Sequence, residues 1–219
     1  MSQKILLNNT ESVYLDTSFI LYALTESMDR RQNLVKKSIE ALGLILYNKS
    51  DNTYISNIVI SELFHALERS GFQWYIDKKI INILGIDEMI WKNYNKQQRD
   101  SIRREKTIET GFNLNEIKEW RKPEYKIEYK SLVCDEFENI ISSLPEGINV
   151  LTNFSSPGTL IQNFIRNKNK YRKLDANDVN HYLLCKEHGI NGILTCDNDF
   201  DEIHDSDLDI IIINREFTI

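Results

Sequence analysis

Residues that break helices or close tight turns are scarce: the 219-residue chain has 8 glycines and 3 prolines. That scarcity predicts short connections and a predominance of helix. Cysteine is rare too. Cys134, Cys185 and Cys196 are scattered, odd in number and free of any CxxC pairing. This argues against a zinc site or a disulfide framework and predicts buried, reduced thiols in a cytoplasmic protein. No window approaches the run of about 18 apolar residues that a membrane span needs. The opening MSQKILLNNTESVYLD has no apolar stretch of signal-peptide length. A surplus of positive charge is also missing, the net charge being −6. This excludes a broadly basic nucleic-acid binder but leaves room for a local basic patch beside an acidic metal site. No low-complexity tail or internal repeat occurs. The 41% hydrophobic content supports a core.

What is present alternates between strand and helix. Ser12–Leu15 (SVYL) is a short β-branched and aromatic run that predicts a buried strand ending at Asp16. TSFILYALTES follows with helical spacing and hydroxyl residues suited to capping. Apolar residues at intervals of three and four predict a second helix over Arg30–Asn48. Thr53–Ile55 reads as a second strand, with a helix over Ile58–Ser70 stopped by Gly71. Phe72–Ile148 reads as helical throughout, broken near Gly85, Gly111 and Pro145, and so as a helical insertion within a single domain spanning 1–219. Asn149–Leu151 is a weak third strand, and Pro157 opens a helix through Lys170. Asp175–His188 is helical up to Gly189, and Gly192–Thr195 and Leu208–Ile213 are the last strands. This order predicts an α/β fold with a parallel sheet and crossover helices.

The acids fall at informative places in that pattern. Asp16 follows the first strand, Glu62 lies in the opening turns of the helix after the second, and Asp175 and Asp178 open a later helix. Asp197 and Asp199 follow the strand GILT. Each has an ordinary reading on its own: helix cap, solvated helix residue, dipole partner or polar turn. Together they collect at the strand carboxyl ends, where open parallel sheets build their sites. Carboxylates gathered there repel one another unless a cation joins them, and hard oxygen ligands suit Mg²⁺ or Mn²⁺. Such ions support phosphodiester hydrolysis.

VYLDTSFIL, ISELFHALE, NDVNHYLLCKEHG and ILTCDNDF together resemble the PIN domain family. The resemblance covers about Val13–Gly71 and Asn149–Asn214, and its most specific run is Leu174–Phe200. It implies a three-layer α/β/α sandwich around a central parallel sheet, and Mg²⁺- or Mn²⁺-dependent hydrolysis of RNA. By resemblance, Asp16, Glu62, Asp178 and Asp197 hold the metal directly or through water, with Asp175 and Asp199 as auxiliary candidates. Thr17 and Ser18 would orient Asp16 or a bound water. If the chain belongs to the toxin subfamily, an antitoxin protein is a partner. A second copy of the chain is a further expected partner.

For substrate, the run RNKNKYRK offers Arg166, Lys168, Lys170, Arg172 and Lys173 for phosphates, with Tyr171 for base stacking. A solvated helix end is the plainer reading of the same run. Arg99–Arg104 is a second basic stretch, diluted by Asp100 and Glu105. His65, His181, His188 and His204 show no ligand spacing; His65 and His181 fall close to the acids in the pattern, but packing or surface roles are assigned to all four and no catalytic histidine is expected. Trp74, Trp91 and Trp120 are read as packing for the helical region, with a partner interface as the alternative. The competing function is a catalytically silent module of the same fold that binds RNA or protein. A phosphatase of the haloacid dehalogenase type would need an acid where Ser18 stands, and a dinucleotide-binding enzyme would need a glycine-rich loop after the first strand.

Overall fold

The computed structural model describes residues 7, 9–24, 32–110, 123–144, 146–152, 157–214 and 217. Its centre is a five-stranded, all-parallel sheet in the order β3-β2-β1-β4-β5. The strands are β1 (Val13–Leu15), β2 (Thr53–Ser56), β3 (Asn149–Leu151), β4 (Gly192–Thr195) and β5 (Asp209–Ile212). Between them lie helices α1 (Thr17–Leu24), α2 (Gln32–Lys49), α3 (Asn57–Leu84), α4 (Glu88–Asn93), α5 (Lys96–Thr110), α6 (Pro123–Ser143), α7 (Pro157–Lys170) and α8 (Ala176–Glu187). From β1 the chain moves outward through β2 to β3, then returns to place β4 against the other side of β1. Right-handed crossovers then put α1 and α2 on one face and α7 and α8 on the other, giving an α/β/α sandwich. The carboxyl ends of β1 and β4 flank the switch point, where such sheets open a crevice.

The central strands read as continuous apolar runs because both faces are covered. Val13, Tyr14, Leu15, Ile193 and Leu194 are all buried. Register at the β1/β4 seam is pinned at its start: Asn191 Oδ1 accepts from the Ser12 backbone and hydroxyl at 2.9 and 3.0 Å. It is pinned at its end by Asp16 N–H donating to the Leu194 carbonyl at 3.0 Å. Gly192 permits the approach, since a Cβ there would lie 2.4 Å from Thr10 Cγ2.

Two compact units are present, one made of residues 1–63 and 140–219, the other of Phe64–Asn139. The second unit corrects one expectation. Gly71 does not end a helix: α3 runs unbroken for 28 residues. The glycine is there for space, because a Cβ would meet Val133 Cγ2 at 2.5 Å and Tyr129 Cδ2 at 3.0 Å. Close packing of α6 on α3 offsets the ~0.5–1 kcal/mol that glycine costs a helix interior. Gly85, with φ of 62°, is a true break. The expected breaks at Gly111 and Pro145, and Trp120, lie outside the described residues. Within this unit Arg103 grips Asp77 through two bonds of 2.8 Å and Asp100 through one of 2.7 Å, and Trp91 Nε1 donates to Asp77 at 3.1 Å. Trp91 is therefore a packing residue, whereas Trp74 is 39% exposed. Cys185 and Cys196 are buried as expected, but Cys134 is exposed.

Candidate metal centre

Asp16 ends β1 and is buried. One of its carboxylate oxygens is fully engaged by the chain: Oδ2 accepts from the Ser18 backbone at 3.2 Å, the Ser18 hydroxyl at 2.5 Å and the Thr195 hydroxyl at 2.8 Å. Ser18 Oγ in turn accepts from the Cys196 backbone, so the start of α1 and the end of β4 fix this carboxylate together. The other oxygen, Oδ1, faces His181 Nε2 at 3.7 Å.

Glu62 reaches the same place from the second turn of α3. Its Oε2 accepts from Thr17 Oγ1 at 2.5 Å and meets His181 Nε2 at 3.0 Å. Thr17 thus holds Glu62 and Ser18 holds Asp16, where the resemblance implied that both hydroxyls orient Asp16 or a bound water. Burial pushes the Glu62 carboxyl up. The hydrogen bond and charge of His181, with hydrogen bonds from Thr17 and Asn177, outweigh it and hold the pKa below the usual value.

Asp178 lies in the first turn of α8, in a reciprocal cap with Asp175. Asp175 Oδ1 accepts from the Asn177 and Asp178 backbones at 2.7 and 2.9 Å, and Asp178 Oδ2 accepts from the Asp175 backbone at 2.7 Å. Burial first, then the charges of Asp175, Asp16 and Asp197, push Asp178 up to about 7. Asp178 therefore shares a field with Asp16 and Asp197. Asp175 and Asp199 are exposed. Asp175 serves as a helix cap, and the Asp199 backbone donates to Asp197 Oδ1 at 2.9 Å in the turn after β4.

The residue that sequence reasoning missed is His181. It is fully buried, Nδ1 lies 2.6 Å from the Tyr14 hydroxyl, and Nε2 faces both Asp16 and Glu62. The packing role first assigned to it is corrected. One signal was available: His181 follows Asp178 by three residues, and i, i+3 positions share a helix face. Burial disfavours the charged imidazole, but Glu62, Asp16 and Asp178 raise its pKa overall. His65, by contrast, pairs with Glu68 at the surface, and His188 and His204 are exposed.

The basic run divides. Arg166, Lys170 and Arg172 are at least partly exposed. Lys168 donates to the Leu174 carbonyl, and Lys173 binds Asp201 at 2.8 Å. Tyr171 offers no face for stacking and is corrected: it is 3% exposed and packs edge-on against Tyr182 at 5.7 Å, with the Lys170 ammonium 4.5 Å from its ring centre. In the second basic stretch, Arg103 is committed to its ion pairs.

The donor set fits a divalent cation. One ligand atom from each of Asp16, Glu62 and His181 lies within 4.8 Å of the others, and the half-buried Asp178 carries the raised pKa of a carboxylate short of positive charge. A parallel α/β sheet with such a cluster at its switch point is compatible with a metal-dependent hydrolase site. Residues 13–110 match the family model described as PIN domain, consistent with the resemblance read from the sequence. PIN domains are in general metal-dependent nuclease folds. The match carries Asp16 and Glu62 and runs beyond Gly71 into the helical region, while Asp178, His181 and Asp197 lie outside it. No curated protein and no solved structure gives a match. No helix among the described residues is long and apolar enough to cross a membrane.

Proposed function

We propose that this protein is an endoribonuclease that hydrolyses RNA phosphodiester bonds with Mg²⁺ or Mn²⁺. One observation carries the reading: a buried carboxylate from β1, a half-buried one from α3 and a buried imidazole from α8 lie together at the sheet's switch point, with no lysine or arginine among the described residues bonded to Asp16 or Glu62. Asp16, Glu62, Asp178 and Asp197 hold the cation directly or through water. Such an ion supplies acidified water and charge neutralisation at phosphorus. Asp16 presents Oδ1 because Ser18 and Thr195 occupy Oδ2. Arg166, Lys170 and Arg172, at the end of α7 and just beyond, draw in the phosphate backbone. No side chain needs to act as nucleophile.

In this reading residues 72–148 are a helical insertion in one PIN-like domain, the protein works in the cytoplasm, and an antitoxin protein is its partner if the chain belongs to the toxin subfamily. The chemistry is tested by incubating purified protein and Mn²⁺ with end-labelled single-stranded RNA and identifying the product ends. Attack by water gives internal cuts with no 2′,3′-cyclic phosphate, lost on chelation. Intact RNA, or cyclic phosphate ends, contradicts the reading.

A further inference from the structure

A string of hydrogen bonds joins the interior of the sheet to the carboxylate cluster. It begins at Ser56, the last residue of β2, whose Oγ accepts from the Val59 backbone at 3.3 Å and lies 2.6 Å from the Tyr14 hydroxyl. Tyr14, in the middle of β1, lies 2.6 Å from His181 Nδ1. His181 Nε2 meets Glu62 Oε2 at 3.0 Å, and Thr17 closes the string on that same oxygen. Ser56, Tyr14 and His181 are all fully buried, so water does not compete for these bonds.

With the imidazole proton on Nε2, aimed at Glu62, Nδ1 accepts from the Tyr14 hydroxyl and Tyr14 accepts from Ser56 Oγ, which also takes the Val59 N–H. A second-sphere partner that fixes a ring by one nitrogen and a ligand by the other sets both orientation and basicity of the ligand. The alternative use of the ring, as a ligand through Nε2, would break the bond to Glu62.

We propose that His181 is a positioning residue, held by Tyr14 and Ser56, that orients the Glu62 carboxylate toward the cation without ligating it. This rests on the metal-nuclease reading above. Glu62 is the only one of the four carboxylates carried mid-helix on a long, rotamer-rich side chain, whereas Asp16, Asp178 and Asp197 lie at strand or helix ends. Two donors on one oxygen, Thr17 and His181, with a further bond from the Asn177 side chain to the carboxylate, remove that freedom.

The test uses the full chain loaded with Mn²⁺. Electron spin-echo spectra of the wild type report directly bound nitrogen and need no variant; none is expected. Isothermal titration then compares wild type, His181→Leu, His181→Gln and Tyr14→Phe, each checked for folding by circular dichroism. His181→Leu is expected to weaken Mn²⁺ binding by about 10–100-fold. Gln, which keeps an N–H donor near the Nε2 position, is expected to restore most of it, and Tyr14→Phe to fall between. Echo modulation from a bound imidazole nitrogen overturns the proposal by making His181 a ligand. Wild-type affinity in folded Leu and Phe variants overturns it by making the string mere packing. If wild type itself binds no Mn²⁺, the metal-nuclease reading fails and this inference fails with it, an outcome distinct from both.

Discussion

Two regions of this protein concentrate charge, and they neutralise it differently. In the helical unit Arg103 sits between Asp77 and Asp100, and Trp91 and Gln73 add donors to Asp77. The chain supplies its own cation, and each of these partners comes from the same unit. At the end of β1 the described donors to Asp16 and Glu62 are hydroxyls, a backbone N–H, the Asn177 amide and one imidazole, none of them a lysine or arginine. Asp178 stands beside them with its pKa pushed to about 7, first by burial and then by neighbouring acids. The first arrangement is complete within the chain and contributes stability. The second is left electrostatically short, a deficit that a divalent ion would make up under the proposed function.

That contrast breaks most sharply at Asp16. Asp16→Asn keeps an acceptor for Ser18 and Thr195 but removes the charge, and RNA cleavage under Mn²⁺ should fall about a thousandfold or more, several kcal/mol of transition-state stabilisation. A gel assay on folded protein checks this, and near-wild-type rates would refute the assignment. Next in size is Arg103→Ala. It leaves Asp77 with only neutral donors and should cost about 3 kcal/mol of stability. Denaturant unfolding of the variant reads that loss, while Mn²⁺ affinity of the folded protein should not change. A variant that keeps its stability but loses metal binding would invert the comparison.

A smaller effect separates the two clusters by pH. Because the folded pKa of Asp178 is raised, its contribution to stability is fully present below about pH 3.8 and is lost as pH rises through about 7. His181, also raised, loses its contribution in the same direction above its usual 6.5. Glu62, whose pKa is lowered, acts oppositely and only as pH falls below 4.5. Metal-free protein should therefore melt at lower temperature at pH 8 than at pH 5.5, and Mn²⁺ or Asp178→Asn should reduce that difference. A melting curve indifferent to pH and metal would count against the site. The smallest effect belongs to the basic run. Arg166 and Arg172, replaced together by Ala, should lower the salt dependence of single-stranded RNA binding by a slope of about 1.4, each neutralised phosphate accounting for about 0.7. Lys173→Ala, already paired with Asp201, should leave that slope unchanged.

Local signals were enough for much of this. The strand–acid–hydroxyl run at Leu15–Ser18, the proline opening α7, and the cap and glycine bracketing α8 each write an element's end into a few adjacent residues. What escaped depends on partners distant in the chain. Gly71 looks the same locally whether it stops a helix or admits a neighbour, and Val133 decides which. Tyr171 reads as an available aromatic until Tyr182 covers it. His181 has no ligand spacing in the sequence because its partners, Tyr14 and Glu62, come from β1 and α3.

The most direct test of the central claim is isothermal titration of the metal-free protein with Mn²⁺ at pH 7.5, run on wild type and Asp16→Asn. A saturable site in wild type that disappears in the folded variant is the predicted result. Equal heats in both proteins, or none in wild type, would contradict the account.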